Sequence, residues 1–250
     1  MIRLIARIDS RNAYHIKTVN CEGVSQIRSV QESLEMFGSG AHEHDEILLL
    51  DCVASLYGKK HWALSADAEH LYTPIPLAIG GAISSTEEAV DLLSIGADKI
   101  LVNTRAIANP QLITEIAQTC GRQAVILQVD TREIDGNFYC FTHGARNCSE
   151  LTVKEWVSNA QSLGAGEVHI TAIDTEGVPR KFPPSLASLA AESTNLPIIL
   201  SGGIRSADDI ASLHCNYGIN AFSFSSLTNT LGLSVSQLRL DIKARGLNVR

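Results

Sequence analysis

The sequence lacks several features that would each point to a particular class of protein. Its six cysteines form no CxxC pair and have no spacing with histidine that is typical of zinc sites. No uncharged apolar stretch reaches the roughly 18 residues that span a membrane. The start, MIRLIARID, carries charged residues within a short apolar run, unlike a signal peptide. We therefore expect free thiols, a reducing compartment and a cytoplasmic location.

An excess of positive charge and a metal-binding cluster are missing as well. The formal net charge of −7 argues against a general nucleic-acid binder, because phosphate contacts need a basic surface. Backbone amides can still hold an anionic substrate. The triplet His42-Glu43-His44 lies in a polar helix-to-strand junction, which favours a solvated surface over a metal site. We expect no metal and no cofactor.

The chain of 250 residues does contain eight apolar runs of strand length, with helical periodicity between them. No linker or low-complexity segment interrupts this alternation. The pattern predicts an α/β fold, a single (β/α)8 TIM barrel domain over residues 1–250, with a hairpin after the fifth strand that turns at Asp135-Gly136. The predicted strands are 2–9, 46–52, 76–79, 98–103, 123–130, 167–172, 197–201 and 220–225, and the clearest helices are 85–95, 110–119, 152–163, 206–214 and 234–245.

An internal repeat supports the barrel. The stretches LIARIDSR and AVILQVDTR both end in an acid, a hydroxyl residue and an arginine, and their acids, Asp9 and Asp130, are 121 residues apart. At the same offset Glu46 aligns with Glu167, and IPLAIGGAIS aligns with LPIILSGGIRS. The repeat predicts two fused half-barrels, about 1–121 and 122–250.

Three aspartates, Asp9, Asp51 and Asp130, each close a predicted strand. The active site of such a barrel lies at the C-terminal ends of its strands. Strands one and five lie across the barrel from each other, so Asp9 and Asp130 can face a substrate from opposite sides as general acid and base. The alternative is that each aspartate caps the loop that follows it. The symmetry of the two halves favours catalysis.

Two glycine-rich turns are candidate phosphate sites. Gly80-Gly81 follows the third predicted strand and Gly202-Gly203 the seventh, and backbone amides exposed in such turns bind anions. Asn103-Thr104 and Ser225-Ser226, after strands four and eight, would complete two equivalent sites. Two sites in register predict a substrate with a phosphate at each end, although glycine also serves plain turns.

Charged residues of alternating sign lie at or near the beginnings of four predicted strands. If they face inward, Arg3 and Lys99 can pair with Glu46 and Glu167 in a ring across the bottom of the barrel, where unpaired charges are costly. Such a ring is either a structural plug or a gate. The residues by themselves favour neither alternative.

Several stretches resemble the cyclase subunit of imidazole glycerol phosphate synthase, the HisF family. They are LIARID, LLLDCVAS, GADKILVNT, ANPQLITEIAQTCGRQAV, LGAGEVHITAIDTEG, LPIILSGG and GLNVR, which together extend over essentially the whole chain. The resemblance implies a barrel that receives ammonia from a glutaminase subunit of the HisH type docked on its N-terminal face. It also implies a bisphosphorylated ribulosyl aminoimidazole carboxamide substrate, with imidazole glycerol phosphate and aminoimidazole carboxamide ribotide as products.

The resemblance further assigns roles to residues of this chain. The family's catalytic aspartates correspond to Asp9 and Asp130, and its partner-docking aspartate corresponds to Asp98. Its ammonia gate corresponds to Arg3, Glu46, Lys99 and Glu167. The substrate- and phosphate-binding positions are Lys17, Asp51, Gly81, Asn103, Thr104, Asp174, Gly177, Gly203 and Ser225.

The chain departs from the family pattern on the side of the ammonia acceptor. Arg7, two residues before the first aspartate, replaces a small residue and shares the strand parity of Asp9, which predicts that it points inward. Gln128 takes the equivalent position in the second half, and Val178 and Ala82 replace a usual threonine and glycine. The stretch VASLYGKK resembles HisF-like paralogues associated with surface-glycan amidation.

These features predict an ammonia-using synthase subunit, with histidine biosynthesis as its chemistry. The alternative is delivery of ammonia for the amidation of a nucleotide-linked sugar or a related glycan precursor. A third possibility is a non-catalytic barrel that regulates a glutaminase. The two intact aspartates speak against that possibility, because a scaffold needs neither.

Overall fold

Eight parallel strands form a barrel in the computed structural model, which describes residues 1–65, 71–225 and 234–250. Among these residues no helix is long and apolar enough to cross a membrane. The barrel strands are β1 (Arg3–Arg11), β4 (Glu46–Asp51), β5 (Leu77–Gly80), β6 (Lys99–Val102), β7 (Val125–Ile134), β10 (Glu167–Ala172), β11 (Ile198–Ser201) and β12 (Ala221–Phe224). The remaining strands, β2 (Tyr14–Val19), β3 (Glu22–Ser29), β8 (Asn137–Thr142) and β9 (Asn147–Thr152), form hairpins above it.

The barrel strands pair in chain order, and the pairing of β7 with β10 together with that of β1 with β12 closes the sheet. All these pairings are parallel. Each of the eight predicted strands is present, so the prediction of a (β/α)8 TIM barrel is confirmed. Parallel strands are buried on both faces, which explains why they appear as continuous apolar runs in the sequence.

Helices cover the outside of the barrel. Five of them begin after a serine or threonine whose side chain accepts a hydrogen bond from the backbone amide three residues later, which fixes where the helix starts. The five predicted helices are all present. The α-helices in the described ranges are α1 (Val30–Phe37), α2 (Thr86–Ser94), α3 (Thr104–Ala108), α4 (Gln111–Cys120), α5 (Val153–Leu163), α6 (Pro184–Ser193), α7 (Ala207–Tyr217) and α8 (Val235–Ala244).

Each half of the barrel carries an antiparallel extension after its first strand. The predicted turn at Asp135-Gly136 joins β7 to β8, with positive φ at both residues. The hairpin of β2 and β3 was not predicted, because β3 is exposed or half-buried along its whole length and shows no alternation. It turns at Asn20 and Cys21, whose φ angles are 51° and 63°.

One expectation about the surface is wrong. His44 is 2% exposed rather than solvated. Its ring packs edge-on against Phe37, with the ring centroids 5.1 Å apart, and it also lies 6.0 Å from the ring of Phe224. Phe37 reaches His44 from the end of α1 and Phe224 from the distant strand β12, so the polar residues next to His44 in the sequence do not indicate its environment.

Candidate active site

The four predicted ring residues meet at the N-terminal end of the barrel. Arg3 Nη1 lies 2.6 Å from Glu46 Oε1, and the second guanidinium nitrogen of Arg3 pairs with Glu167. Lys99 Nζ lies 3.3 Å from Glu46 and 3.0 Å from Glu167. Each glutamate therefore binds both cations, and the four side chains form a closed charged ring.

Both carboxylates of the charged ring are largely buried, whereas Arg3 and Lys99 keep 20% and 25% of their side chains exposed. Burial works against the charge of Arg3, but the carboxylates of Glu167 and Glu46 outweigh it and raise the pKa of Arg3. The pairing is complete, which is the condition under which buried charges are tolerated. The ring thus closes one end of the barrel.

The interior of the barrel changes from apolar to polar above the ring. The first layer consists of side chains such as Ile5, Leu48 and Ile199, which form an internal apolar cluster. Above it lies a polar layer that comprises Arg7, Gln128, His169, Thr171, Ser201 and Ser223.

Arg7 spans the polar layer, and only 3% of it is exposed. Its Nη1 lies 3.2 Å from Ser201 Oγ and 3.4 Å from Thr171 Oγ1, on strands β11 and β10. Its Nε donates to Asp9 Oδ1 at 2.8 Å. Burial opposes the charge of Arg7, but the carboxylate of Asp9 raises its pKa. The prediction that Arg7 points inward is confirmed.

Asp9 has no accessible surface. Besides Arg7, it binds the hydroxyl of Thr18, with Oγ1 2.7 Å from Asp9 Oδ2, and the thiol of Cys52, which donates to Oδ1 at 3.4 Å. The Thr18 hydroxyl comes from the hairpin that the sequence did not predict. Asp9 is therefore reached only through the side chains around it.

Asp130, in contrast, lines a cavity of about 460 Å³ at the C-terminal end of the barrel. Its Oδ2 accepts a hydrogen bond from Asn103 Nδ2 at 2.9 Å, and Gln128 Nε2 lies 3.2 Å from both carboxylate oxygens. Burial raises the pKa of Asp130, against the opposing effect of Arg7. A carboxyl group with a raised pKa is suited to proton transfer near neutral pH.

The same cavity brings together most of the predicted sites from the first half of the barrel. Its other lining residues include Asp51, Gly81, Asn103, Thr104, Lys59 and Lys60. Asp51 caps the loop after β4, since its Oδ1 accepts from the amides of Val53 and Ala54 at 3.0 and 2.9 Å. Burial raises the pKa of Asp51. Asp51 therefore caps the loop that follows it, which is the alternative to a catalytic role.

The glycine-rich turns have the same backbone in both halves. Gly81 and its counterpart Gly202 have φ angles of 105° and 91°, and Ala82 and Gly203 have 57° and 78°. Ala82 thus keeps a left-handed conformation that costs an ordinary residue about 1–2 kcal/mol. A Cβ atom at Gly81 would lie 2.3 Å from the Asp51 carbonyl oxygen. Close packing by itself explains the glycine there.

The second glycine-rich turn also packs closely against neighbouring backbone. The amide of Phe182 donates to the Gly203 carbonyl at 3.2 Å, and a Cβ atom at Gly203 would lie 2.5 Å from the Phe182 nitrogen. Gly177 packs in the same way on the hairpin, with a Cβ position 2.5 Å from the Thr18 carbonyl oxygen. Both glycine-rich turns therefore pack closely on neighbouring backbone, and Gly81 and Gly203 are both half-buried.

The remaining predicted residues are spread around the rim and the base. Asp174 forms an ion pair with Arg132 at 2.9 Å, and the Thr104 hydroxyl accepts from the His143 amide at 3.0 Å. Lys17 is half-buried, and its side chain forms no hydrogen bond or ion pair within the described ranges. At the opposite end, the exposed Asp98 accepts from the Leu77 amide at 2.8 Å. Ser225 follows β12, and Ser226 lies outside the described residues.

Sequence reasoning missed Thr18, Glu176 and His169. His169 is fully buried in the polar layer, where Nε2 lies 3.1 Å from Ser223 Oγ and burial lowers its pKa to about 3. His169 lies two residues after Glu167 on β10, so the alternation of side chains along a strand predicts that both point into the barrel. Glu176 and Thr18 had no such signal, because they meet only through the packing of the unpredicted hairpin.

No group of three or more histidine, cysteine or acidic residues in the described part of the chain is arranged to hold a metal ion. The six cysteines are free thiols. The site therefore consists of carboxyl, amide and hydroxyl groups around a buried guanidinium, which suits proton transfer and the binding of a polar substrate.

Comparison with known proteins finds similarity over nearly the whole chain. A family model described as "Histidine biosynthesis protein" matches residues 3–227. The imidazole glycerol phosphate synthase subunit HisF of Legionella pneumophila is 35% identical over 212 residues, which are 83% of this chain and 98% of that protein. The HisF subunits of Chlorobaculum tepidum and of a Thermotoga species are each 31% identical over 99% of this chain and 98% and 97% of their own lengths.

Proposed function

Because this chain belongs to the HisF family of histidine biosynthesis proteins, we propose that it is an ammonia-using synthase subunit. In this proposal it joins ammonia to a bisphosphorylated ribulosyl aminoimidazole carboxamide. The products are imidazole glycerol phosphate and aminoimidazole carboxamide ribotide. The relatives carry the name of the enzyme that forms the first of these products.

One observation supports the proposal above all: the charged ring and the two aspartates lie at opposite ends of the same barrel. The charged ring closes the N-terminal end, and Asp9 and Asp130 lie at the C-terminal ends of β1 and β7. Arg3 and Asp9 are separated by about 20 Å of extended strand. Ammonia admitted through the ring would pass the apolar layer as a neutral molecule, since an ion is costly to desolvate there. It would then reach the aspartates.

Asp130 is the better placed of the two for contact with substrate, because it lines the cavity and Asp9 is covered. Attack of ammonia on a carbonyl group and closure of a ring both require protons to be moved between heteroatoms. Asp130 can take up the proton that the attacking nitrogen loses. Asp9 can supply one to the leaving oxygen after the side chains that enclose it, Thr18 and Cys52 among them, have moved aside. Gln128 and Asn103 orient the Asp130 carboxylate for this role.

The phosphates of the substrate would be bound at the rim. One would lie in the open cavity against Gly81, Asn103 and Thr104, where Lys59 and Lys60 add positive charge. The second phosphate would lie at the site formed by Asp174, Gly177, Gly203 and Ser225. Lys17 on the hairpin is free to pair with either phosphate.

A glutaminase of the HisH type is the proposed partner. It would dock on the N-terminal face, where Asp98 is exposed and a cavity of about 660 Å³ borders Arg3, Lys99 and Glu167. Docking there would deliver ammonia directly to the charged ring without release into water.

The cyclase proposal can be tested without the glutaminase. The purified chain is mixed with an ammonium salt at high pH and the bisphosphorylated ribotide, and formation of the imidazole product is followed. Asp130→Asn is expected to abolish product formation, whereas Asp135→Asn, at the exposed hairpin turn, should retain it because asparagine tolerates the φ of 50° there. Failure of the wild-type protein to form the imidazole product would rule out the histidine pathway.

A second candidate function is favoured by Arg7, which lies buried beside Asp9. A buried guanidinium beside Asp9 can bind an anionic or carbonyl group that a small residue would not. The other departures on the acceptor side, Val178 and Ala82, point in the same direction. These observations support the amidation of a nucleotide-linked sugar or a related glycan precursor.

The two candidate functions predict opposite results in one experiment. Arg7→Cys, which brings back a small side chain, should increase turnover of the bisphosphorylated ribotide if the chain has diverged towards a sugar acceptor. It should reduce that turnover if Arg7 serves the cyclase reaction. Measurement of kcat and KM for the ribotide with ammonium salt, for the wild type and this variant, separates the two.

A further inference from the structure

Glu176 is a buried carboxyl group without a cation of its own. Among the described residues four glutamates are buried, and three form ion pairs: Glu46 and Glu167 in the charged ring, and Glu88 with Lys60 at 3.4 Å. Glu176 is 2% exposed and forms no ion pair in this part of the chain. The nearby cation, Arg7, is already paired with Asp9 at 2.8 Å. An unpaired carboxylate is costly to bury, so a neutral carboxyl group is favoured.

The contacts of Thr18 lead to the same conclusion independently. Its Oγ1 lies 2.7 Å from Asp9 Oδ2 and 2.8 Å from Glu176 Oε1, so it bridges two carboxyl groups. A threonine hydroxyl has a single hydrogen to donate. It can therefore donate to only one of the two, and the other must be protonated and donate to it.

The protonated partner is Glu176. Asp9 holds the guanidinium of Arg7 and accepts from the Cys52 thiol, which are the contacts of an ionised carboxylate. Glu176 Oε2 accepts the backbone amide of Cys21 at 2.8 Å, which leaves Oε1 to carry the proton. The hydrogen bonds then run from Glu176 to Thr18 and from Thr18 to Asp9.

We propose that Glu176 is an un-ionised carboxylic acid that stores a proton for Asp9, with the Thr18 hydroxyl as the bridge between them. In the transfer, the proton on Glu176 Oε1 moves to Thr18 Oγ1, and the hydroxyl hydrogen of Thr18 moves to Asp9 Oδ2. One proton is moved in total. Asp9 becomes neutral and Glu176 becomes a carboxylate that accepts from Thr18 and from the Cys21 amide.

The store gives Asp9 a source of protons in a place that water does not reach. Asp9 has no accessible surface, so it exchanges protons through Arg7, Cys52 or Thr18. The guanidinium of Arg7 does not give up its proton, and burial raises the pKa of the Cys52 thiol well above its usual range. Thr18 remains as the path. That Asp9 uses this proton as a general acid rests on the proposed function.

The groups that face Glu176 come from three elements. Arg7 and Asp9 lie on β1, Thr18 on β2, and Cys21 in the turn between β2 and β3. Burial raises the pKa of Glu176 and Asp9 raises it further, while Arg7 and the hydrogen bonds from Cys21 and Thr18 lower it. The net shift of the pKa is upward, which is the direction that the count of hydrogens at Thr18 requires.

Isotope-edited infrared spectroscopy tests the protonation directly, without a substrate. Glutamate side-chain carboxyl groups are labelled with 13C, and the spectrum is recorded at pH 7.5. We expect the carbonyl band of a protonated, labelled carboxyl group in the wild type and its loss in Glu176→Gln, whose amide can still donate to Thr18 and accept from Cys21. The band should persist in Asp130→Asn and Asp51→Asn, since those residues carry no label.

A wild-type spectrum without a protonated glutamate band would overturn the proposal, as would a band that survives in Glu176→Gln. If that variant does not fold, Thr18→Val gives the second measurement. The band should shift in frequency because the carboxyl group loses its acceptor, and Thr18→Ser should leave it in place. An unchanged band in Thr18→Val would also contradict the bridge.

The catalytic role of the store is tested by turnover with ammonium salt. Thr18→Val is expected to lower kcat by about ten- to a hundredfold with little change in KM, and Thr18→Ser should restore it. Full activity of Thr18→Val would overturn the proton transfer to Asp9. An inactive wild type would instead refute the proposed function, while the infrared band still decides whether Glu176 holds the proton.

Discussion

At the scale of the residue, the buried pair of Arg7 and Asp9 has a measurable energetic consequence. Both side chains are at most 3% exposed, and their contact is 2.8 Å. Arg7→Leu leaves the Asp9 carboxylate buried without its cation, which is expected to cost about 3–5 kcal/mol of unfolding free energy. Urea denaturation at pH 7.5 measures this loss.

The control for this prediction is a double-mutant cycle. Asp9→Asn combined with Arg7→Leu removes both charges, so the double variant should be more stable than the sum of the single losses predicts. Arg245→Leu, which breaks an exposed pair with Asp208, should change the urea midpoint little. Additive losses in the cycle would mean that the two side chains are not coupled.

At the scale of the element, the glycine-rich turn after β5 requires glycine at position 81 because of close packing as well as because of its backbone angle. At Gly218 the φ is 71° and a Cβ atom would have no atom within 4 Å, so Gly218→Ala should cost about 1–2 kcal/mol through backbone strain. At Gly81 the Cβ atom would in addition lie 2.3 Å from the Asp51 carbonyl oxygen. Gly81→Ala should therefore destabilise the protein by clearly more than Gly218→Ala, as measured by urea denaturation. Equal losses would refute the packing argument.

The elements of the barrel were predictable because each obeys a local rule. The strands of the barrel are continuous apolar runs, such as EILLLD in β4, and serines or threonines mark the starts of helices such as α2 and α5. The hairpin of β2 and β3 obeys no such rule. Its exposed outer strand has no apolar alternation, and its turn places Cys21, which is not a typical turn residue, at a φ of 63°.

The same difference explains which parts of the site were predictable. Asp9, Asp130 and the charged ring stand at fixed positions relative to strand ends, so the repeat and the strand parity were enough to bring them together. Thr18 and Glu176 are 158 residues apart and meet through the unpredicted hairpin. The close packing of Gly203 on the backbone near Phe182 likewise depends on loop packing, which leaves no periodic pattern in the sequence.

At the scale of the whole molecule, four buried histidines distributed over the fold make its stability sensitive to acid. Burial lowers the pKa of His15 and His44 to about 4 and that of His61 and His169 to about 3. In the unfolded chain a histidine has a pKa of about 6.5. The stability that these residues contribute is therefore fully present above pH of about 6.5 and is lost as the pH falls towards the native values.

Below pH of about 6.5 the histidines of the unfolded chain bind protons, whereas the buried histidines of the native state stay neutral. Acid therefore favours unfolding. Each histidine contributes a slope of up to about 1.4 kcal/mol per pH unit below pH 6.5. Asp51, Asp130 and Glu176 act in the opposite direction, because burial raises their pKa values and the native state takes up their protons first. The net loss is therefore smaller than the sum over the four histidines.

His44→Phe separates the histidine contribution from general packing. Phenylalanine can keep the edge-on contact with Phe37, so the mean slope of unfolding free energy between pH 6.5 and 4.5 should decrease by about 1 kcal/mol per pH unit. Phe37→Leu, in the same cluster, should lower stability at every pH and leave the slope unchanged. Urea denaturation across this range measures both. If the slope in His44→Phe equals that of the wild type, then His44 binds a proton in the native state as readily as in the unfolded chain. That result would contradict the prediction.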